Sequence, residues 1–230
     1  MRKALGKIEI LYEDNHLLAV NKPSGLLVQG DHTGDICLID LAKDYLKVKY
    51  NKPGKVYVGL VHRLDRPVSG VVLLTKTSKA LTRMNQIFTD RKVSKRYWAV
   101  TMNSPPNESD TLTHWLRKNT TKNRTASFNR EAKGSKLSQL DYSLVMAKDQ
   151  KYLLEVVPLT GRAHQIRVQL SAIGCPIVGD VKYGFKGSPE RAIGLHARSL
   201  HFEHPVKKEP LTIEAPLPSS SYWKSFLEMA

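Results

Sequence analysis

Short apolar runs separated by turn residues dominate the chain. Residues 8–12 and 17–21 read as strands, Lys22-Pro23-Ser24-Gly25 as a turn, and residues 26–28 as another extended run. Leu38, Leu41, Tyr45 and Val48 recur at helical spacing and predict a helix that ends before Pro53-Gly54. Strands follow at 56–61 and 70–75, on either side of the polar turn His62-Arg63-Leu64-Asp65-Arg66-Pro67. Ser78 reads as the N-cap of a helix with Leu81, Met84, Ile87 and Phe88 on one face. Strands are expected at 97–102, 140–146 and 152–157. Gly161-Arg162 then opens a helix that buries Ile166, Leu170 and Ile173 and stops at Gly174. Runs at 194–202 and 211–214 read as extended, and residues 222–228 as a short last helix. Many strands with few scattered helices predict an α+β fold with a mixed, largely antiparallel sheet.

Composition changes this picture in one direction. The 230 residues carry 36 Lys+Arg against 21 Asp+Glu, a net charge of +15 with a pI near 9.8. That excess points to a polyanionic partner, nucleic acid first. Hydrophobic residues make up 41%, enough to bury a core, so general disorder is excluded. The apolar stretches at 17–20 and 71–74 are far shorter than the roughly 20 residues of a membrane span, so no membrane association is expected. Met1-Arg2-Lys3, followed by Lys7 and Glu9, makes a poor signal peptide. Two cysteines, Cys37 and Cys175, lack Cys-x-x-Cys spacing, which argues against a disulfide framework or a cysteine zinc site and for the cytoplasm. Within 104–136 lies a basic segment holding Arg117, Lys118, Lys122, Arg124, Arg130, Lys133 and Lys136 against Glu131. It reads as a loose hairpin outside the core, which grips RNA or is simply a solvated loop.

Three clusters carry candidate chemistry. Asp65 sits in its turn between Arg63 and Arg66. By itself that arrangement is an ordinary surface ion pair; functionally, it is a carboxylate kept ionised and able to act as a nucleophile. The run Leu159-Thr160-Gly161-Arg162-Ala163-His164-Gln165-Ile166-Arg167 places an arginine where a helix begins, suited to a carboxylate or phosphate. Its plainer reading is an amphipathic helix with Arg162, Gln165 and Arg167 on the polar face. Tyr97, in Lys95-Arg96-Tyr97-Trp98-Ala99, is either a core aromatic or a ring that packs on a flipped base. His196, His201 and His204 lie close in sequence, but the chain has no His-Glu-x-x-His pattern, and no metal is expected. Neither a P-loop nor a dinucleotide fingerprint is present, and Lys22-Pro23-Ser24-Gly25-Leu26 reads as a turn without a phosphate role.

These clusters, in this order, resemble the RluA-type pseudouridine synthases. The likeness begins at Glu13-Asp14-Asn15-His16-Leu17-Leu18-Ala19-Val20-Asn21-Lys22-Pro23-Ser24-Gly25 and runs through His62-Arg63-Leu64-Asp65-Arg66-Pro67-Val68-Ser69-Gly70. It continues through Lys95-Arg96-Tyr97-Trp98-Ala99 and 159–167, and ends near Leu195-His196-Ala197 and His204-Pro205. The resemblance implies a single catalytic domain over 1–230, built on a long, bent, mixed sheet with a central cleft. Because it starts at Glu13, no N-terminal S4 RNA-binding domain is expected, which points to a short stem-loop in rRNA or tRNA as substrate. Val68 and Ala163 stand where many relatives carry threonine. The resemblance further implies that Asp65 is the catalytic aspartate, Tyr97 the active-site tyrosine and Arg162 the basic residue that pairs with Asp65. Arg63 would fill the gap left by the extruded uridine.

The implied reaction detaches uracil from its ribose and rejoins it through C5. Nothing is consumed, so no cofactor is expected. The base must leave the stack first, at a cost of a few kcal/mol. Asp65 attacks the ribose C1′ or the uracil C6, or stabilises a glycal-type intermediate; the sequence leaves these routes open. Lys118, Lys122 and Arg124 are the candidate RNA-gripping residues, and a monomer is the default. Two other classes compete. A nucleoside hydrolase would use the same carboxylate but ordinarily needs a second acid, and none accompanies Asp65 in its turn. A non-catalytic RNA chaperone or ribosome-assembly factor would need only the basic surface.

Overall fold

The computed structural model describes residues 8–187 and 192–229. Met1-Arg2-Lys3 and Lys7, which bear on the signal-peptide reading, lie outside these residues. The chain divides into two compact units, one running through Ser94 and resuming at Ala197–Pro216, the other made of Lys95–His196 and the segment from Leu217. Among the described residues no helix is long and apolar enough to cross a membrane.

The first unit contains β1 (Glu9–Glu13), β2 (Leu17–Lys22), α1 (Leu38–Lys49), β3 (Gly59–Leu60), β4 (Ser69–Thr75) and α2 (Ser78–Thr89). β1 pairs antiparallel with β2, β2 with β4, and β3 with β4. Every residue of β4 is buried, so this strand shows none of the polar alternation of a half-solvated one. Leu17, Ala19, Val71 and Leu73 point to one face and pack with Met84 of α2. Phe202 and Ile213 complete that core, from the strands numbered β10 (Leu195–Glu203) and β11 (Pro210–Glu214) in chain order. Gly70 sits at φ +110°, and a Cβ there would collide with the Ala197 backbone, so only glycine lets β4 start here. Glu13 fixes the end of α1: its carboxylate accepts from Tyr45 (2.8 Å), Lys49 (2.7 Å), Tyr50 (2.6 Å) and Lys76 (2.8 Å). Burial raises its pKa, but these four donors outweigh it and pull the value down to about 2.

The second unit is built on antiparallel strands with non-sequential order. β5 (Ser94–Thr101) enters it at Lys95, and β6 (Ser109–Asn119), β7 (Arg124–Phe128), β8 (Lys136–Lys148) and β9 (Lys151–Pro158) follow in the spatial order β5-β9-β8-β6-β7. α3 (Gln165–Ala172) follows β9. Val100, Leu153, Val178, Tyr222, Trp223 and Phe226 form its main core; Leu116, Val168 and Tyr183 form a second one under the β6–β7 hairpin.

The fold class is the α+β one expected, with local corrections. α1 exists, but it buries Leu38, Ala42 and Leu46 while Val48 is 83% exposed, so its inner face is turned from the expected one. Residues 26–28 form only an isolated bridge, Leu27 to Cys37, and the strand expected at 56–61 is reduced to Gly59–Leu60. α2 is capped by Thr77, whose hydroxyl accepts the Ala80 amide at 3.2 Å; Ser78 is its first residue. The 104–136 segment is largely regular sheet: Leu112, His114, Leu116 and Thr125 are buried, while its basic residues face solvent. The last helix is a 3-10 helix at Lys224–Met229.

Candidate active site

Asp65 lies half-buried in the turn that leads into β4. Leu64 and Val68 are buried on either side of it, and the Val68 amide donates to the Asp65 carbonyl at 3.0 Å. Arg63 is exposed. Arg66 leans away: its Nε donates to the Gly25 carbonyl (2.9 Å) and its guanidinium pairs with Asp35 (2.7 Å). His62 is fixed as well, stacked on Phe88 at 5.3 Å and accepting the Leu73 amide through Nε2 at 3.0 Å.

What clasps this turn is Lys22, which is completely buried. Its ammonium donates to the carbonyls of Pro23 (3.0 Å), Leu26 (2.8 Å) and Arg66 (3.2 Å), so one cation ties the 23–26 turn to the residue after Asp65. The Gly25 amide adds a fourth tie, to the Arg66 carbonyl at 2.8 Å. Burial pushes the lysine's pKa down to about 7, and the Asp65 carboxylate acts against that by favouring the charged form. Lys22 is the organising residue of this turn that sequence reasoning missed. Its turn was legible, but a buried ammonium with three carbonyl acceptors has no signature in spacing.

Tyr97 and Arg162 belong to the other unit. Tyr97 is half-buried on β5, opposite Val156 of β9. Arg162 is exposed on the turn between β9 and α3. The helix starts at Gln165, not at Gly161-Arg162 as expected, because His164 takes a left-handed conformation (φ 56°) that breaks helical geometry before it. Arg162 therefore does not cap a helix. Gln165 shapes its turn: Oε1 accepts the Arg162 amide (2.9 Å) and the Thr160 hydroxyl (2.8 Å), and Nε2 donates to the Gln139 carbonyl (2.9 Å). Gln165 and Arg167 are buried, which corrects the reading of both as members of a polar face. Arg167 forms a bidentate pair with buried Asp180, at 2.7 and 2.8 Å.

The basic hairpin is bolted to this second turn. The Thr125 hydroxyl donates to the Ala163 carbonyl (2.9 Å) and its amide to the Tyr183 hydroxyl (2.8 Å), which also meets His164 Nδ1 (2.7 Å). Arg117, Lys122 and Arg124 line a cavity of about 440 Å³ whose floor includes Val168 and Tyr183. Arg117 lies over the Phe128 ring and Arg124 over the Tyr183 ring, at 5.0 and 5.6 Å. Lys118 is exposed and does not line the cavity. His196 meets Trp223 edge-on and His204 bonds Asp14 at 2.8 Å.

Comparison with known proteins decides what these turns belong to. The family model described as RNA pseudouridylate synthase matches residues 16–172, more than half of the chain. The chain belongs to this family. Among curated members, it is 33% identical over 213 residues to the ribosomal large subunit pseudouridine synthase C of Rickettsia prowazekii (strain Madrid E), covering 91% of this chain and 68% of that one. The namesake from Vibrio vulnificus (strain CMCP6) is 32% identical over 215 residues, covering 90% and 65%. The chain thus spans about two thirds of the length of these relatives. Among solved structures, human RNA pseudouridylate synthase domain containing 4 superposes with a TM-score of 0.77 at 26% identity, covering 92% of this chain and 89% of that one. Human RNA pseudouridylate synthase domain containing 1 gives 0.74 at 26% identity, covering 95% and 86%. The family read from the motifs, and the isomerase class it carries, are both borne out.

Proposed function

We propose that this pseudouridine synthase isomerises uridine in ribosomal RNA, acting as a cytoplasmic monomer without a cofactor. The observation that carries the reading is the half-buried Asp65 carboxylate on a turn clasped by the buried Lys22 ammonium, in a chain of this family. Relatives from Rickettsia and Vibrio named for the ribosomal large subunit support the choice of RNA.

In this reading the target uridine leaves the stack and Arg63, exposed two residues before Asp65, enters the gap. The ionised Asp65 drives scission of the bond between N1 and C1′. The uracil turns and bonds through C5; the proton lost from C5 is balanced by one gained at N1, so substrate and product are isomers. Tyr97 packs against the base, and its hydroxyl takes part in removing the C5 proton. Arg162 has the cationic role the family likeness implies. Lys118, Lys122 and Arg124 hold the RNA backbone.

The test is to map pseudouridines in ribosomal and transfer RNA of cells lacking this protein. At least one ribosomal uridine is expected to go unmodified, with restoration by the parent gene and none by Asp65→Asn. Complete modification in the deletion strain, or full restoration by Asp65→Asn, would overturn the proposal, the second outcome pointing to an RNA chaperone.

A further inference from the structure

We propose that Lys95 is a substrate-contacting residue whose ammonium holds a phosphate of the target RNA strand. The inference rests on the reading above that the chain binds and modifies RNA.

The alternation of β5 supplies the geometry. Arg96 turns to Glu155, which it meets at 3.0 Å, and Trp98 and Val100 pack into the core of the second unit. Lys95 and Tyr97 share the opposite face. Lys95 reaches across to the turn that carries Arg162: a Cβ placed on Gly161 would lie 3.9 Å from its Nζ. One side chain therefore spans from the strand of Tyr97 to the turn of Arg162.

The electrostatics is incomplete. Lys95 is half-buried, and loss of water alone pushes its pKa below the ordinary lysine value. Among the described residues no carboxylate or hydrogen-bond acceptor engages its ammonium. Three other buried or half-buried cations are compensated: Lys22 by three carbonyls, Lys76 by Glu13, Arg167 by Asp180. A desolvated cation without a counter-charge calls for an anion from outside. Uracil and ribose are neutral, so the phosphodiesters are the only full negative charges RNA brings. A phosphate at Lys95 lies between Tyr97 and Arg162 and so belongs to the strand carrying the reacting nucleotide.

The experiment is a binding cycle between protein and RNA. The probe is a ribosomal RNA fragment spanning the uridine identified by mapping, with methylphosphonates replacing single phosphodiesters around it. Lys95→Met is expected to weaken binding about tenfold or more and to flatten the salt dependence by about one phosphate, while Lys95→Arg keeps most of the affinity. One neutral linkage should weaken the parent by the same factor and leave Lys95→Met unaffected. Lys95→Gln, checked by circular dichroism, replaces the methionine variant should that one fail to fold. Parent affinity in both neutral variants, or equal methylphosphonate losses in parent and variant at every position, would overturn the inference. Pseudouridine formation is scored separately: its absence in the parent defeats the proposed function, whereas binding decides the role of Lys95.

Discussion

The turn bearing Asp65 and the turn bearing Arg162 both adjoin a strand, both present a charged side chain, and both are organised by one buried polar residue. The organisers differ in kind. Lys22 gathers three carbonyls with an ammonium, whereas Gln165 gathers an amide, a hydroxyl and a carbonyl with a neutral group. Three donors to three acceptors is what only a protonated amine provides. The first organiser is a buried cation whose charged form the Asp65 carboxylate favours, and a neutral amide has no such coupling. The second turn carries the cation itself, and a buried charge below it would repel or neutralise that cation. Each organiser matches the charge its turn presents.

Removing the charged organiser should have the larger effect. Lys22→Met leaves three carbonyls without their donor and is expected to lower the unfolding free energy by about 3 kcal/mol or more, with turnover falling about 100-fold. Its pH signature is specific. The folded lysine titrates near 7 and the unfolded one near 10.5, so between these values the unfolded chain holds the extra proton. Raising the pH through that window therefore favours the folded state; the contribution is complete above 10.5 and gone below 7. Denaturant midpoints at pH 7 and pH 9 should diverge in the parent by an amount that Lys22→Met removes. An identical pH slope in both proteins would refute the buried-ammonium account.

Gln165→Leu should be milder, about 2 kcal/mol in stability and tenfold in turnover, with a loss independent of pH because no ionisable group is removed. A pH-dependent loss would erase the contrast between the two turns. The smallest effect on turnover is expected for joint replacement of Lys118, Lys122 and Arg124 by Gln. Binding should weaken and its salt slope drop by about 2 to 3, while stability and the rate at saturating RNA hold within error. A matching loss of the saturated rate would mean that the hairpin acts on the Arg162 turn, through the Thr125–Ala163 bond, more than on RNA.

The sequence was most informative where local pattern decides. Leu17, Ala19, Val71 and Leu73 alternate as strands of a core do, and the candidates Asp65, Tyr97 and Arg162 stood out because they lie in dense motifs. It was least informative where distant residues decide. The start of α3 depends on His164 taking a left-handed conformation with Tyr183 as its partner, nineteen residues away. Arg167 reads as polar until Asp180 is placed against it. The inner face of α1 turned because the end of the helix is pinned by Glu13 through Tyr45, Lys49 and Tyr50, a set that no periodicity encodes. Lys22 and Lys95 were invisible for the same reason, since a lysine's burial is a property of what surrounds it.

The most direct measurement is a single-turnover assay with purified protein and ribosomal RNA from the deletion strain, comparing the parent with Asp65→Asn. The account predicts pseudouridine formation by the parent, a drop of about 10⁴-fold or more in the variant, and unchanged RNA affinity and thermal stability. A variant that turns over within tenfold of the parent would contradict it.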